Sequence, residues 1–172
     1  MPGSLRKAPS RPDATFAAVV EVTGWPRLLV RAATDALISI ETLRGAPPTP
    51  CWPANGWHAR ILADIQAALN GAEMDWSYVP LRTAALSRFT GRVVREIRLI
   101  PHGAVRTYGE IARRIRRRGA KASARAVGRA CGANPWPLVA PCHRVVAASG
   151  IGGFGWGVEW KRRLLAMEGV LL

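Results

Sequence analysis

Residues 107–131 read TYGEIARRIRRRGAKASARAVGRAC and predict two short helices joined by a basic turn. Thr107 and Glu110 have the three-residue spacing of a capping box, which starts a helix directly after the threonine. Ser123 is a capping residue for a second helix, which we place at residues 124–131. Helix, short turn and helix in this order are typical of a helix-turn-helix unit.

The second of these helices has one apolar and one basic side. Its spacing predicts that Ala124, Val127 and Cys131 are buried, whereas Arg125 and Arg129 face solvent. Two arginines four positions apart repel each other unless an anion lies between them. A phosphate partner would remove that cost, so this helix is a candidate for nucleic-acid binding.

The charge of the chain supports a polyanionic partner. The 172 residues carry a net charge of +14. Residues 84–172 hold 17 basic and 4 acidic side chains, against 8 and 7 in residues 1–83. Twelve of the basic residues fall within residues 92–129. A field this local attracts phosphate groups, so nucleic acid is the expected partner.

Composition excludes several classes of protein. Hydrophobic residues make up 49% and charged residues 21% of the chain, which is typical of a folded globular protein. Three cysteines are too few for a disulfide-rich secreted scaffold. No apolar run approaches the length that spans a bilayer, so we expect no membrane partner and a cytoplasmic location.

We predict an α+β protein with a division near residue 84, where charge and structure type both change. Residues 1–12 are expected to be a disordered lead, residues 13–84 a small α/β domain, and residues 85–172 a mostly helical domain. The first domain is expected to contain an antiparallel meander of three strands followed by a helix. The predicted elements are strands at 15–23, 27–33 and 36–41, and helices at 57–70 and 86–99.

The strongest chemical signal is the pentapeptide PCHRV at residues 141–145. A cysteine is nucleophilic as its thiolate, and a neighbouring imidazole or cation lowers its ordinary pKa of about 8.5. Cys142 has both types of group directly after it, in His143 and Arg144. An arbitrary Cys-His pair is more often a small buried residue beside a structural histidine. The basic helix pair upstream favours a catalytic interpretation here.

In this setting the chain resembles the O6-alkylguanine-DNA alkyltransferases, also called methylated-DNA–protein-cysteine methyltransferases. The resemblance covers residues 85–170 and implies a three-stranded, ribonuclease-H-like N-terminal domain before a winged-helix-like C-terminal domain. It also implies DNA repair by irreversible transfer of one alkyl group per protein from O6-alkylguanine, with O4-alkylthymine as an open second substrate. The matching stretches are ARAVG at 124–128, ANP at 133–135, PCHRV at 141–145, GFGWGV at 153–158, Lys161, Leu164-Leu165 and Glu168-Gly169.

The resemblance assigns chemical roles to five residues. Cys142 is the alkyl acceptor, His143 removes its proton through a water molecule, and Glu168 orients the histidine. Tyr108 donates a hydrogen bond or proton to guanine N3, so that the base leaves neutral. Asn134 ties the second helix of the helix-turn-helix unit to the cysteine loop. No metal or other cofactor is expected, because the alkyl carbon is already electrophilic.

The same resemblance implies how DNA is bound. The O6 alkyl group lies inside the base stack, so the nucleotide must rotate out of the duplex. Arg125 then fills the vacated space, while small residues let the helix enter the minor groove. Phe154 stands where relatives often have tyrosine, which removes a hydroxyl from the pocket wall. The other residues expected to contact DNA or the base are Ala124, Ala126, Gly128, Arg129, Thr107, Val145 and Gly155.

The expected partner is double-stranded DNA that contains O6-alkylguanine. The protein is expected to act as a monomer, with clustering on DNA left open, in the cytoplasm at the nucleoid, or in the nucleus of a eukaryote. Three alternatives remain: a non-catalytic alkyltransferase-like protein, which would lack the acceptor cysteine, a helix-turn-helix regulator, which would need a dimer face, and a thiol hydrolase. Cys51 and His58 are too few ligands for a zinc site.

Overall fold

The computed structural model describes residues 15–53 and 56–172, so the predicted lead at residues 1–12 lies outside the described residues. The described chain contains a three-stranded antiparallel sheet, a short parallel strand pair and five α-helices, which confirms the predicted α+β class. None of the helices in these two ranges has the length and apolar character needed to cross a bilayer.

The predicted meander is present as strands β1 (Thr15–Val20), β2 (Leu28–Ala33) and β3 (Leu37–Thr42), in the order β1-β2-β3. Alternation places Phe16 and Val20 on the buried face of β1. β1 ends three residues earlier than predicted. The chain turns here, where the Trp25 amide donates to the Val22 carbonyl and Gly24 has a φ of +80°.

Helix α1 (Gly56–Leu69) follows the sheet and buries Ile61, Ile65 and Leu69. It stops at the predicted Asn-Gly signal, where Gly71 has a φ of +95°. His58 is also buried, and its Nε2 donates to the Ala33 carbonyl at 2.8 Å. This hydrogen bond joins α1 to the sheet and assigns His58 a structural contact.

The described C-terminal part contains four helices, and two of them begin at the predicted caps Thr107 and Ser123. The four helices are α2 (Arg88–Ile97), capped by Ser87, α3 (Tyr108–Arg117), capped by Thr107, α4 (Ala124–Gly132), capped by Ser123, and α5 (Val158–Met167). Both capping-box bonds of α3 form, from the Thr107 amide to Glu110 at 2.7 Å and from the Glu110 amide to Thr107 Oγ1 at 3.1 Å.

One burial prediction for α4 was wrong. Val127 and Cys131 are buried as expected, but Ala124 is exposed and Ala130 is buried instead. Ala124 lies in the first turn of α4, which borders an open cavity rather than the core.

The sheet and the C-terminal helices share one apolar core. The Ile40 amide donates to the Pro135 carbonyl at 2.8 Å, and the fully buried Trp136 donates from Nε1 to the Leu37 carbonyl at 3.0 Å. Strand β3 therefore supports the loop that follows α4. The domain boundary near residue 84 stays a prediction.

Candidate active site

The predicted nucleophile, Cys142, lies in a short turn close to the start of the helix-turn-helix unit. Cys142–Arg144 form one turn of 3-10 helix, and β5 (Val145–Val146) follows it directly. β5 pairs in parallel with β4 (Arg106–Thr107), which leads into α3. This pairing brings Cys142 and the first turn of α3 to the same cavity.

Asn134 connects the end of α4 with the cysteine loop. Its Nδ2 donates to the Ala140 carbonyl at 2.8 Å and to Cys142 Sγ at 3.2 Å. Its Oδ1 accepts from the Trp136 amide at 3.2 Å. The side chain is buried, so these three bonds hold both the loop and the sulfur in place.

A half-buried carboxylate, Glu168, lies within hydrogen-bond distance of the predicted base. His143 Nε2 lies 2.8 Å from Glu168 Oε1, and Arg144 donates to the same carboxylate at 2.9 Å. A carboxylate only accepts, so the imidazole proton is on Nε2 and the Nδ1 lone pair is free to take a proton. His143 Nδ1 is buried and forms no hydrogen bond with any residue in the described ranges.

Burial sets the charge state of this pair. Desolvation lowers the pKa of His143, despite the opposing effect of Glu168, so the imidazole is neutral at pH 7. Burial alone would raise the pKa of Glu168, but hydrogen bonds from His143 and Arg144 outweigh it and lower the pKa to about 2. The site therefore holds a neutral base beside a permanent carboxylate.

The cation that lowers the pKa of the thiol is Lys161, not the sequence neighbour Arg144. Arg144 turns away to Glu168 and to the Ile100 carbonyl. Lys161 is fully buried, and its Nζ donates to the Val145 carbonyl at 2.6 Å and to the Gly153 carbonyl at 3.0 Å.

The charge of Lys161 offsets only part of the effect of burial on the Cys142 thiol. Burial raises the pKa of Cys142, and the Asn134 hydrogen bond and the charge of Lys161 oppose that rise only in part. The resting group is a thiol. The sequence analysis named Lys161 as part of the family resemblance but assigned it no role. Its spacing from Leu164 and Leu165 could have indicated that Lys161 lies on the buried side of α5.

A cavity of about 740 Å³ opens above the thiol. Thr107, which caps α3, and Tyr108 in the first turn of α3 line one side of it. Arg125 and Gly128 of α4 line another side, and the loop that carries Phe154 and Gly155 closes it. Ala124, Cys131 and Arg113 also border this space. The sequence pattern had assigned Cys131 to the core alone, and burial raises the pKa of its thiol to about 12.

Tyr108 contributes a hydroxyl group to the cavity wall. It is half-buried, and burial raises the pKa of its phenol, so the hydroxyl keeps its proton. Phe154 lies edge-on to the His143 ring, with 6.3 Å between the centroids. Three predicted contact residues lie outside the cavity lining. Arg129 is exposed on α4, Ala126 is half-buried, and Val145 is buried with its carbonyl bound to Lys161.

Comparison with known proteins identifies relatives of this chain. Residues 88–170 match the family model described as 6-O-methylguanine DNA methyltransferase, DNA binding domain. A methylated-DNA–protein-cysteine methyltransferase of Methanopyrus kandleri is 40% identical over 121 residues, which are 69% of this chain and 88% of that protein.

Two solved structures extend the similarity to the fold. Mycobacterium tuberculosis O6-methylguanine methyltransferase has a TM-score of 0.73 and 32% identity, covering 90% of this chain and 93% of that one. Mycobacterium tuberculosis OGT in complex with DNA has a TM-score of 0.67 and 34% identity, covering 83% and 86% of the two chains. The present chain therefore belongs to the methylated-DNA–protein-cysteine methyltransferase family.

Proposed function

We propose that the protein repairs O6-alkylguanine in duplex DNA by transferring the alkyl group to Cys142, irreversibly and once per molecule. One observation carries the proposal: a buried thiol, bound by Asn134, lies in a cavity that the arginine-bearing helix α4 also lines. The neutral His143, oriented by Glu168, supplies the base that a resting thiol requires.

The atoms balance in one displacement step. His143 Nδ1 takes the Cys142 proton through a water molecule, and the thiolate attacks the alkyl carbon. The S–C bond forms as the C–O6 bond breaks, and the electron pair passes to the guanine. Tyr108 donates its hydroxyl proton to N3, and the proton held by His143 then returns to the Tyr108 oxygen. The thiol proton therefore ends on the restored guanine, which stays in the DNA.

The cavity supports nucleotide flipping. Its volume of about 740 Å³ falls within the range of pockets that bind small molecules, which leaves room for a base and its alkyl group. Arg125 and Gly128 line the α4 side of the cavity, and we assign Arg125 to fill the space of the rotated nucleotide and Gly128 to face the DNA backbone. O4-alkylthymine fits the same chemistry.

The proposal includes the setting in which the protein acts. It works as a monomer on double-stranded DNA, with clustering along the duplex as an additional property. Residues 85–172 carry the reaction and residues 13–84 support the cysteine loop. Its place is with the DNA of the cell, in the cytoplasm at the nucleoid or in a nucleus.

Intact-mass spectrometry after incubation with a duplex containing one O6-methylguanine tests this function. We expect one added methyl group, mapped to Cys142, with no turnover beyond one equivalent. The Cys142→Ala variant should bind the duplex without gaining mass, whereas Cys131→Ala should be methylated normally. A methyl group on another residue would refute the assignment of Cys142, and lesion-selective binding without any mass change would indicate the non-catalytic alternative.

A further inference from the structure

Helix α2 presents a second basic surface, separate from that of α4. Arg88, Arg92 and Arg95 are exposed and lie on one side of the helix, at positions i, i+4 and i+7. We call these three residues the α2 stripe. Within residues 15–53 and 56–172, none of them forms an ion pair or a side-chain hydrogen bond to a protein group. Three like charges at this spacing repel one another, so an anionic partner would stabilise the surface.

The α2 stripe faces away from the helix-turn-helix unit. The opposite side of α2 buries Val93 and Ile97, and α2 packs against both α3 and α4. Helix α4 likewise buries Val127 and exposes Arg125 on its far side. Because the two helices meet through their buried sides, their arginines point to opposite sides of the helix layer. Each helix is about 10–12 Å wide, which separates the two surfaces by about 20 Å.

A groove beside the α2 stripe has the chemistry of a phosphate site. It has a volume of about 660 Å³ and runs between residues 79–88 and the helix. All three stripe residues and Arg98 line it. The stripe extends about 10 Å along the helix axis, which matches about three successive phosphates of one DNA strand. Guanidinium groups bind phosphate oxygens in pairs, which favours arginine for this contact.

We propose that the α2 stripe binds the phosphate backbone of a second duplex while α4 binds the first, so that one molecule bridges two DNA segments. The inference rests on DNA binding through α4 as in the proposed function, but it does not depend on alkyl transfer. A single straight duplex on α4 does not extend around the helix layer to the stripe, so the partner is a separate segment.

A capture assay with the full chain tests the bridge. A lesion-containing duplex is immobilised, the protein is added, and retention of a labelled undamaged duplex is measured. We expect capture by the unaltered protein that weakens steeply with salt. The triple variant Arg88→Gln, Arg92→Gln and Arg95→Gln should lose capture at least tenfold, while methyl transfer from an isolated lesion duplex changes less than twofold. A matched variant with the same charge change uses three exposed arginines elsewhere, Arg27, Arg31 and Arg162, and should keep capture.

Two results would overturn the bridge. Undiminished capture by the triple variant would show that protein association joins the duplexes. A parallel loss of methyl transfer and affinity on the isolated duplex, in a variant that unfolds at the normal temperature, would place the α2 stripe on the same duplex as α4. Failure of the proposed function gives a different pattern, in which no variant gains a methyl group although capture persists.

Discussion

The sheet side and the cysteine side of the molecule differ in what they bury. Residues 15–83 bury apolar side chains, and their buried polar residues in the described chain are Ser39 and His58. Beyond residue 84 the buried side chains include Glu96, His143, Arg144 and Lys161. Burying an ion costs several kcal/mol unless partners compensate it. The cysteine side therefore has a larger desolvation cost to offset than the sheet side.

The buried charged residues differ in the groups that they bind. Glu96 binds Arg114 at 2.6 Å and Arg118 at 3.3 Å, which joins α2 to α3 and balances its charge. Within the described residues Lys161 donates hydrogen bonds to neutral carbonyl groups, and its charge opposes the effect of burial on the pKa of Cys142. The Glu96 pairs therefore join two helices, whereas the uncompensated charge of Lys161 acts on the Cys142 thiol. Substitutions on each side test this distinction.

The largest effect is expected for Glu168→Gln. The amide still accepts the hydrogen bond from His143, but it no longer stabilises the imidazolium that forms when the thiol is deprotonated. We expect the single-turnover rate of methyl transfer to fall about 100-fold at pH 7. The exposed carboxylate Glu159 on the same helix provides the control, and Glu159→Gln should change the rate little. A normal rate in Glu168→Gln would remove the carboxylate from the reaction.

The same substitution should change how the free energy of unfolding depends on acid pH. The folded-state pKa of Glu168, about 2, lies below the usual value of about 4.3. Its carboxylate therefore stabilises the fold above pH 4.3, and this contribution is lost as the pH falls towards 2. Allowing for its partial exposure, we expect Glu168→Gln to lower the free energy of unfolding at pH 7 by about 2 kcal/mol and to flatten its dependence on acid pH. Urea unfolding at several pH values measures both.

The next largest effect is expected for Lys161→Met. Loss of the charge raises the pKa of the Cys142 thiol further, so the pH profile of its alkylation by free O6-benzylguanine should move to higher pH. A charge-assisted contact is worth about 1.5–3 kcal/mol, which corresponds to a rate loss of about 10- to 100-fold near neutral pH. The exposed neighbour Arg162 carries the same charge, and Arg162→Met should leave the profile in place. A slower reaction with an unshifted profile would limit Lys161 to a packing role.

Two adjacent glycines near Tyr108 differ in the space around them. A Cβ at Gly152 would lie 2.9 Å from the Tyr108 hydroxyl oxygen, at a φ of +72° that side chains rarely adopt. A Cβ at Gly153 would meet no atom within 4 Å. We expect Gly152→Ala to slow transfer about tenfold, since local strain costs about 1–3 kcal/mol, and Gly153→Ala to have little effect. Equal rates in the two variants would show that Tyr108 moves freely.

A smaller and more selective effect is expected for Arg125→Ala. Only a duplex requires an arginine to replace the rotated nucleotide, so repair of duplex DNA should slow several-fold while reaction with free O6-benzylguanine is unchanged. Arg129→Ala, on the same exposed side of α4, should weaken duplex binding without this selectivity. Equal losses of Arg125→Ala on both substrates would contradict the flipping role.

The smallest effect on activity is expected on the sheet side. His58→Leu removes the donor to the Ala33 carbonyl and should lower the free energy of unfolding by about 1–3 kcal/mol. Methyl transfer per folded molecule should stay the same, because His58 contacts no residue of the cavity lining. A changed rate of methyl transfer in fully folded His58→Leu would contradict the view that the sheet side does not take part in the reaction.

Local signals in the sequence determined most of the elements. Thr107 and Ser123 cap helices through bonds that reach only three residues along the chain, so their positions can be predicted without knowledge of the fold. Apolar alternation likewise predicted the three strands of the meander. The charge asymmetry and the PCHRV stretch directed attention to DNA and to Cys142. The comparison with known proteins confirmed the family, whereas the role of Cys142 stays a prediction.

Only the tertiary structure decided which groups surround the thiol. The sequence placed Arg144 next to the reactive centre, yet the fold turned it to Glu168 and brought Lys161 from sixteen residues away to the Val145 carbonyl. Cys131 became part of the cavity wall, and the first turn of α4 was left exposed beside it. The physical reason is range: capping and amphipathic spacing act within a few residues, whereas burial and the direction of a charged side chain depend on elements that meet only after the chain has folded.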